Sequence, residues 1–267
     1  MAKARVLVIT GYGVNSDLET ARAAELAGAD QVDRIFFGDI AKGVVDFTAY
    51  NFIIFPGGFL DGDDLGAAQA AAMRWRYLKT QTGQPLATLL GDLIDAGGLI
   101  LGICNGFQLL VKLGILPGFA GLRFSRCVSL AANLSGRYED RWVRLLPNPD
   151  CACVFTKGLP PLYLPVRHGE GRLCADQSTL ARIEAENLIA LQYTDAQGKP
   201  TQDYPENPNG SALGIAGLTD PSGRVLGLMP HPEAFHHVTN HPGWRAGELD
   251  PPGTLLFVNA VRYLRSL

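Results

Sequence analysis

The chain carries little charge. Lys, Arg, Asp and Glu make up 18% of its 267 residues and leave a formal net charge of −3. That balance offers no basic surface for a nucleic-acid backbone. Cysteine is sparse and odd in number: Cys104, Cys127, Cys151, Cys153 and Cys174. None sits in a CxxC pair, so neither a disulfide framework nor a zinc site is indicated, and no metal is expected. A reducing compartment follows from that usage. No run approaches the ~18 apolar residues that a membrane span requires. The opening "MAKARVLVIT" has too few apolar positions for a signal-peptide core and reads as a first buried strand, so a cytoplasmic location is expected. There is no GxxxxGK[ST] phosphate loop, no internal repeat and no long linker, so a single domain over residues 1–267 is expected.

What the chain has is apolar mass and turns. Apolar residues make up 47%, enough for a large core, and the 31 glycines and 17 prolines follow no period. "RVLVIT" (residues 5–10), "VDRIFF", "FIIF" (52–55) and "LILGI" are continuous apolar runs of strand length, the pattern of strands buried on both faces. Helical patterns lie between them. "NSDLETARAAELAGA" offers Ser16 and Glu19 as a capping box and Gly28 as a stop. An Ala-rich helix is expected over about 65–78, another over "LATLLGDLIDAG", and a third over "GFQLLVKLG". Alternation through the first 114 residues predicts an open, mostly parallel α/β sheet, flavodoxin-like, with helices on both faces. After Pro117 short strands dominate: "CVSLAANL", "RWVRLL", "CACVF", "LYLPV" and "LIALQY". Two more are expected around the turn Asp220-Pro221-Ser222-Gly223, and "GTLLFVNAVRYLRSL" closes the chain as a helix. The second half therefore adds antiparallel strands to the sheet.

The chemistry centres on "GGLILGICNGFQLL". Gly102-x-Cys104-x-Gly106 has the form of a nucleophile elbow with Cys in place of Ser. It falls where a strand becomes a helix. Small residues on either side let the turn close, the next N–H (Asn105) points where an oxyanion would form, and the helix N-terminus favours a thiolate. An inert buried cysteine is the alternative. A nucleophile wants a base, and of five histidines His231 stands apart. "VLGLMPHPE" places it just past a strand between two prolines, with Glu233 two residues on and therefore on the same side of an extended segment. Nucleophile, base and orienter are then all present. A second oxyanion donor is available at Gly57-Gly58, at the end of "FIIF", if that strand neighbours "LILGI".

"PGGF", "GICNGFQ" and "MPHPE", in this order, resemble the class I (triad-type) glutamine amidotransferases. "NSDLETARAAELAGA", "NLSGRYEDRWVRL", "HGEGR", "NPNGS" and "GLTDPSGRVLGLMPHPE" are similar to the glutaminase subunits of phosphoribosylformylglycinamidine synthases, over nearly the whole chain. The resemblance implies that Cys104 attacks the carboxamide of L-glutamine to give a γ-glutamyl thioester, with His231 and Glu233 completing the triad. It implies Gly58 and Asn105 N–H groups as the oxyanion hole, and Gly57 and Gln108 as substrate contacts. It further implies a separate synthetase subunit, which would hold ATP and magnesium and receive the ammonia for purine synthesis, and leaves room for a third small subunit beside it. No cofactor is expected in this chain itself.

Some positions depart from the pattern. Leu60-Asp61-Gly62-Asp63 stands where Ser-Tyr-Gly-Asp is usual, and Ala234 stands where Arg often follows the His-Pro-Glu triplet. Segments 73–85 and 236–253 are longer than in compact forms, and His236, His237 and His241 match no tight metal-ligand spacing. His168 sits in a Gly-flanked turn that could approach the active-site rim or a partner; it reads as a structural or interface residue, with Glu170 as its candidate partner. Two other functions remain open on the residues alone. One is a stand-alone γ-glutamyl hydrolase or peptidase, which would need no partner. The other is a redox-sensing module without catalysis, which would not need His231 or Glu233.

Overall fold

The apolar runs form the middle of one large sheet. β3 (Phe52–Phe55), β4 (Leu99–Ile103) and β11 (Val225–Leu228) are buried at every residue, and β1 (Arg5–Thr10) at four of its six. With β2 (Gln31–Phe36) they run parallel in the spatial order β2-β1-β3-β4-β11. Helices cover both faces of such strands, so every side chain meets apolar surroundings and the period-2 alternation disappears. This computed structural model describes residues 2–247 and 250–267.

Beyond β11 the sheet becomes antiparallel. β10 (Ile215–Thr219), β9 (Ile189–Thr194), β6 (Glu139–Pro147) and β7 (Leu162–His168) complete nine strands. A separate two-stranded ribbon pairs β5 (Ser129–Ala132) with β8 (Glu170–Cys174). The helices are α1 (Asp17–Leu26), α2 (Phe37–Ala41), α3 (Gln69–Tyr77), α4 (Ala87–Asp95), α5 (Asn105–Leu113), α6 (Gln177–Ala185) and α7 (Leu255–Ser266). The expected α/β class, with its change of character in the second half, is what the chain adopts. Among the described residues no helix is long and apolar enough to cross a membrane.

The turn at Asp220 decides where β11 goes. Asp220 Oδ1 accepts the N–H groups of Arg224 (3.0 Å) and Val225 (2.9 Å), and Oδ2 accepts the Ser222 hydroxyl. This tight reversal sends the chain back beside β10 and slots β11 between β10 and β4.

Three expectations need correction, and two elements were missed. Ser16 makes no cap: its hydroxyl donates to Asn15 Oδ1 (3.2 Å), while its carbonyl takes Thr20. "CACVF" is not a strand. Its Val154 N–H reaches the Gly223 carbonyl, but the segment serves as a buried plug, with Phe155 against Phe52. The Ala-rich helix starts later, at Gln69, because Ala68 takes a left-handed φ of 58°. The helix α6 was not foreseen, although Asp176 caps it through Thr179 N–H at 2.7 Å, and β8 was hidden in "HGEGR".

Candidate active site

Strand pairing builds the site. β3 and β4 are neighbours with Phe55 opposite Gly102, so the end of "FIIF" and Cys104 share one rim. β11 lies on the other side of β4, with Leu228 opposite Ile103. The Cys104 N–H donates to the Leu228 carbonyl at 2.8 Å. Three residues later comes His231, whose own N–H is held by the Pro165 carbonyl of β7 at 2.8 Å. Residues 127 positions apart in sequence thus meet at one edge of the sheet, where open α/β sheets bind ligands.

Cys104 occupies the sharp turn the sequence suggested. Its φ of 51° and ψ of −102° lie outside the ordinary regions for a non-glycine residue. It is buried, and α5 begins at the next residue. The turn closes because Gly106 has no side chain: a Cβ there would stand 2.0 Å from the Phe55 carbonyl oxygen. The Asn105 backbone N–H belongs to the first turn of α5, where N–H groups have no intrahelical partner. The Cys104 thiol is turned to the Arg167 carbonyl of β7, 3.6 Å away.

His231 Nδ1 and Glu233 Oε1 are 2.6 Å apart, and both side chains are almost wholly buried. The other ring nitrogen, Nε2, has no hydrogen-bond partner. Burial alone would push the His231 pKa down. The Glu233 carboxylate and the Cys104 thiolate beside the ring outweigh it and push the pKa up to about 10. The neighbours of the ring, Glu233 first, therefore favour its charged form.

Gly57 and Gly58 face this pair. A Cβ on Gly57 would stand 2.6 Å from His231 Cε1, so the ring lies directly over that residue. Gly58 has φ of 137°, and a Cβ there would meet Gly13 O, Val14 Cα and Asn15 N within 2.9 Å. Only glycine suits that backbone. Asn105 and Gln108 brace the opening turn of α5. Asn105 Oδ1 takes Leu60 N–H (2.9 Å), its Nδ2 donates to Gln108 Oε1 (3.0 Å), and Gln108 Nε2 donates to the Glu170 carbonyl. Gln108 thus holds the protein together as well as facing the cavity.

A cavity of about 380 Å³ opens above Cys104 and His231, with Gly58, Gln108, His168 and Glu170 in its wall. Cys104, His231, Gly58 and Gln108 line this cavity, while Gly57 lies against the His231 ring, Asn105 packs between Leu60 and Gln108, and Glu233 sits behind His231. Ser16, Asp63 and His168, not expected as catalytic residues from the sequence, also face the cavity. Ser16, read as a helix cap, lies in the wall against Gly57. Asp63 faces in, and burial and Glu170 raise its pKa. His168 is not held by Glu170: its partner is Asn133, at 3.1 Å, and Glu170 Oε2 takes Ala67 N–H instead. The signal for His168 was its motif, "HGEGR"; for Ser16 no local signal separated cap from wall.

The departures have local reasons. Asp61 pairs with Arg74 of α3 at 2.5 Å, so the unusual loop and the long segment after it answer each other. His236 Nδ1 reaches the Glu233 carbonyl, His237 binds Thr239, and His241 pairs with Asp250 while packing among Trp142, Tyr163 and Phe235. Each histidine of that stretch has its own partner, and among the described residues no group of metal-binding side chains forms. Residues 248–249 of the 236–253 segment lie outside the described residues.

A strained elbow cysteine, a carboxylate-held histidine and a glycine-lined rim define the class of protein. Residues 3–264 match the family described as the CobB/CobQ-like glutamine amidotransferase domain, and the chain belongs to it. The phosphoribosylformylglycinamidine synthase subunit PurQ of Dehalococcoides mccartyi is 40% identical over 269 residues, covering 100% of each chain. The PurQ subunit of Methanococcus maripaludis is 39% identical over 272 residues, covering 97% of each. Among solved structures, PurLQS from Thermotoga maritima matches with a TM-score of 0.71 at 27% identity, covering 98% of this chain and 99% of that one.

Proposed function

We propose that the whole chain acts as one glutaminase domain, the ammonia-producing subunit of a phosphoribosylformylglycinamidine synthase in purine biosynthesis. The observation that carries this reading is the Cys104 N–H to Leu228 carbonyl bond. It sets His231 and Glu233 against the nucleophile, and so supports a triad.

The chemistry follows from the charges. The Cys104 thiolate attacks the carboxamide carbon of L-glutamine. The oxygen becomes an oxyanion, received by the N–H groups of Gly58 and Asn105; one such donor contributes about 3–4 kcal/mol in a transition state. His231, protonated at Nε2, passes that proton to the nitrogen as the C–N bond breaks. Ammonia leaves and a γ-glutamyl thioester remains. Neutral His231 then takes a proton from water, the hydroxide adds to the thioester carbon, and the thiolate departs to restore the pair with glutamate as product. Glu233 holds the ring and stabilises its positive form through both steps.

Ammonia set free in neutral water would be protonated and lost as a nucleophile. A docked synthetase subunit, with a third small subunit, receives it instead, and the ATP and magnesium of the overall reaction belong to that synthetase. The likeness to the PurLQS complex supports such partners, and the absence of any phosphate loop in the sequence agrees with the division of labour. A cytoplasmic setting suits this role.

The test is ammonia release from glutamine, by the chain alone and with the synthetase subunit, ATP and formylglycinamide ribonucleotide. The expected result is release that rises with the partner and disappears in Cys104→Ala. Release from γ-glutamyl peptides but not glutamine, with no response to the partner, would replace the reading with a hydrolase.

A further inference from the structure

His168 ends β7, one residue past Arg167, whose carbonyl takes the Cys104 thiol. Its side chain is buried, lines the catalytic cavity, and leaves Nε2 without a partner. The protonation of that ring follows from its neighbours. Asn133 Nδ2 donates to two carbonyls, His168 O (2.8 Å) and Arg137 O (3.0 Å), so the other atom of the amide is the oxygen. That Oδ1 accepts Gly171 N–H at 3.0 Å, and lies 3.1 Å from His168 Nδ1. Nδ1 therefore carries the hydrogen, and Nε2 presents a bare lone pair.

The ring stays neutral. Burial, helped by the charge on His231, pushes the His168 pKa down to about 3. His168 can accept a hydrogen bond at the site but cannot give one from Nε2 at working pH. The ring is also backed: a Cβ on Gly171 would stand 2.5 Å from its Cε1. A buried acceptor without a partner in a cavity wall awaits a donor.

Glutamine brings two kinds of donor, its α-ammonium and its carboxamide NH2. The carboxamide is the end that must reach Cys104, and β7 passes the sulfur at the residue before His168. We propose that His168 Nε2 accepts an N–H of the leaving carboxamide nitrogen, turning that nitrogen's lone pair toward His231. The inference rests on the glutaminase reading above. The amide nitrogen has a lone pair to receive the His231 proton and two hydrogens to be held elsewhere. As it takes the proton it becomes positive, its N–H groups become stronger donors, and the bond to His168 tightens on the way to the transition state. A neutral acceptor also offers no competing acid beside His231.

The experiment separates leaving group from scaffold. His168→Asn keeps a donor near Nδ1 for Asn133 and loses the distal acceptor, and its melting temperature reports whether the fold survives. His168→Gln carries an amide oxygen out toward the Nε2 position. Both are compared with the wild type, in complex with the synthetase subunit, on glutamine and on glutamate γ-methyl ester. The ester forms the same thioester but expels methoxide, which has no N–H to donate and leaves as methanol with the His231 proton. On kcat/KM, which reports acylation, His168→Asn is expected to fall about 10- to 100-fold on glutamine and by less than about threefold on the ester. His168→Gln recovers part of the glutamine rate. Equal losses on both substrates, or no loss on glutamine, overturn the proposal. Failure of the wild type to release ammonia from glutamine, or full activity in Cys104→Ala, would instead overturn the glutaminase reading on which it rests.

Discussion

Cys104 is held at φ 51° and ψ −102° by its surroundings, at a cost of order 1–3 kcal/mol for such backbone. In the proposed mechanism the strain is useful because it turns the sulfur out of the strand and the next N–H toward the oxygen of the reacting carbonyl. Glu233 matters at the same scale through charge. Glu233→Gln keeps an acceptor for His231 Nδ1 but removes the negative charge that raises the ring's pKa. His231 then loses its proton at lower pH. The expected outcome is an alkaline limb of the glutaminase pH profile shifted toward acid, with kcat lower by about 10²–10⁴-fold at its best pH. An unchanged profile would mean that Glu233 only packs. The residue types of the proposed triad were legible in the sequence, because an elbow has a fixed spacing and His231-Pro232-Glu233 has few other uses. Ser16 was not legible: a serine ahead of a helix looks like a cap whether its hydroxyl turns to the helix or to the Asn15 side chain.

Elements deliver these residues, and their junctions are the vulnerable places. Gly106→Ala would set a Cβ 2.0 Å from the Phe55 carbonyl oxygen and force α5 away from β3. A destabilisation of about 1–3 kcal/mol is expected, visible as a lower denaturant midpoint, together with loss of glutaminase activity because the turn at Cys104 opens. Asp220→Ala removes an acceptor of three backbone N–H groups from a buried turn. It is expected to cost about 1–3 kcal/mol in thermal or chemical unfolding and to loosen β11, and with it His231. The buried strands β1, β3, β4 and β11 could be read directly, since a short apolar run bounded by turn residues suits a strand shielded from water on both faces. "CACVF" had the same composition and became a plug. Composition reports that a segment is buried, but hydrogen bonding to a neighbour makes it a strand, and only Val154 found such a partner there. The helix α6 went unread because its apolar stripe is thin, with Ile183 as its one buried residue.

The whole molecule responds to pH through two buried histidines of opposite sign. The folded pKa of His168, about 3, lies below its unfolded value of 6.5. As pH falls below 6.5 the unfolded chain takes up a proton that the native state refuses, so stability falls toward pH 3. The folded pKa of His231, about 10, lies above 6.5. Its contribution is complete below 6.5 and disappears as pH rises through 10. Compared with His168→Asn, the wild type is expected to lose about 2 kcal/mol more between pH 7.5 and pH 5 in denaturant unfolding. A parallel pair of curves would show that His168 titrates normally. Much at this scale was settled before any folding was considered. The class of sheet and the residue types of the proposed triad were readable from the chain alone, because strands buried on both faces and elbows are local patterns. Tertiary structure alone decided that β11 lies beside β4, that Leu228 takes the Cys104 N–H, and that His168 is a neutral acceptor in the wall. Those facts depend on which strands pair and on which groups are shut away from water, and neither is carried by the neighbours of a residue along the chain.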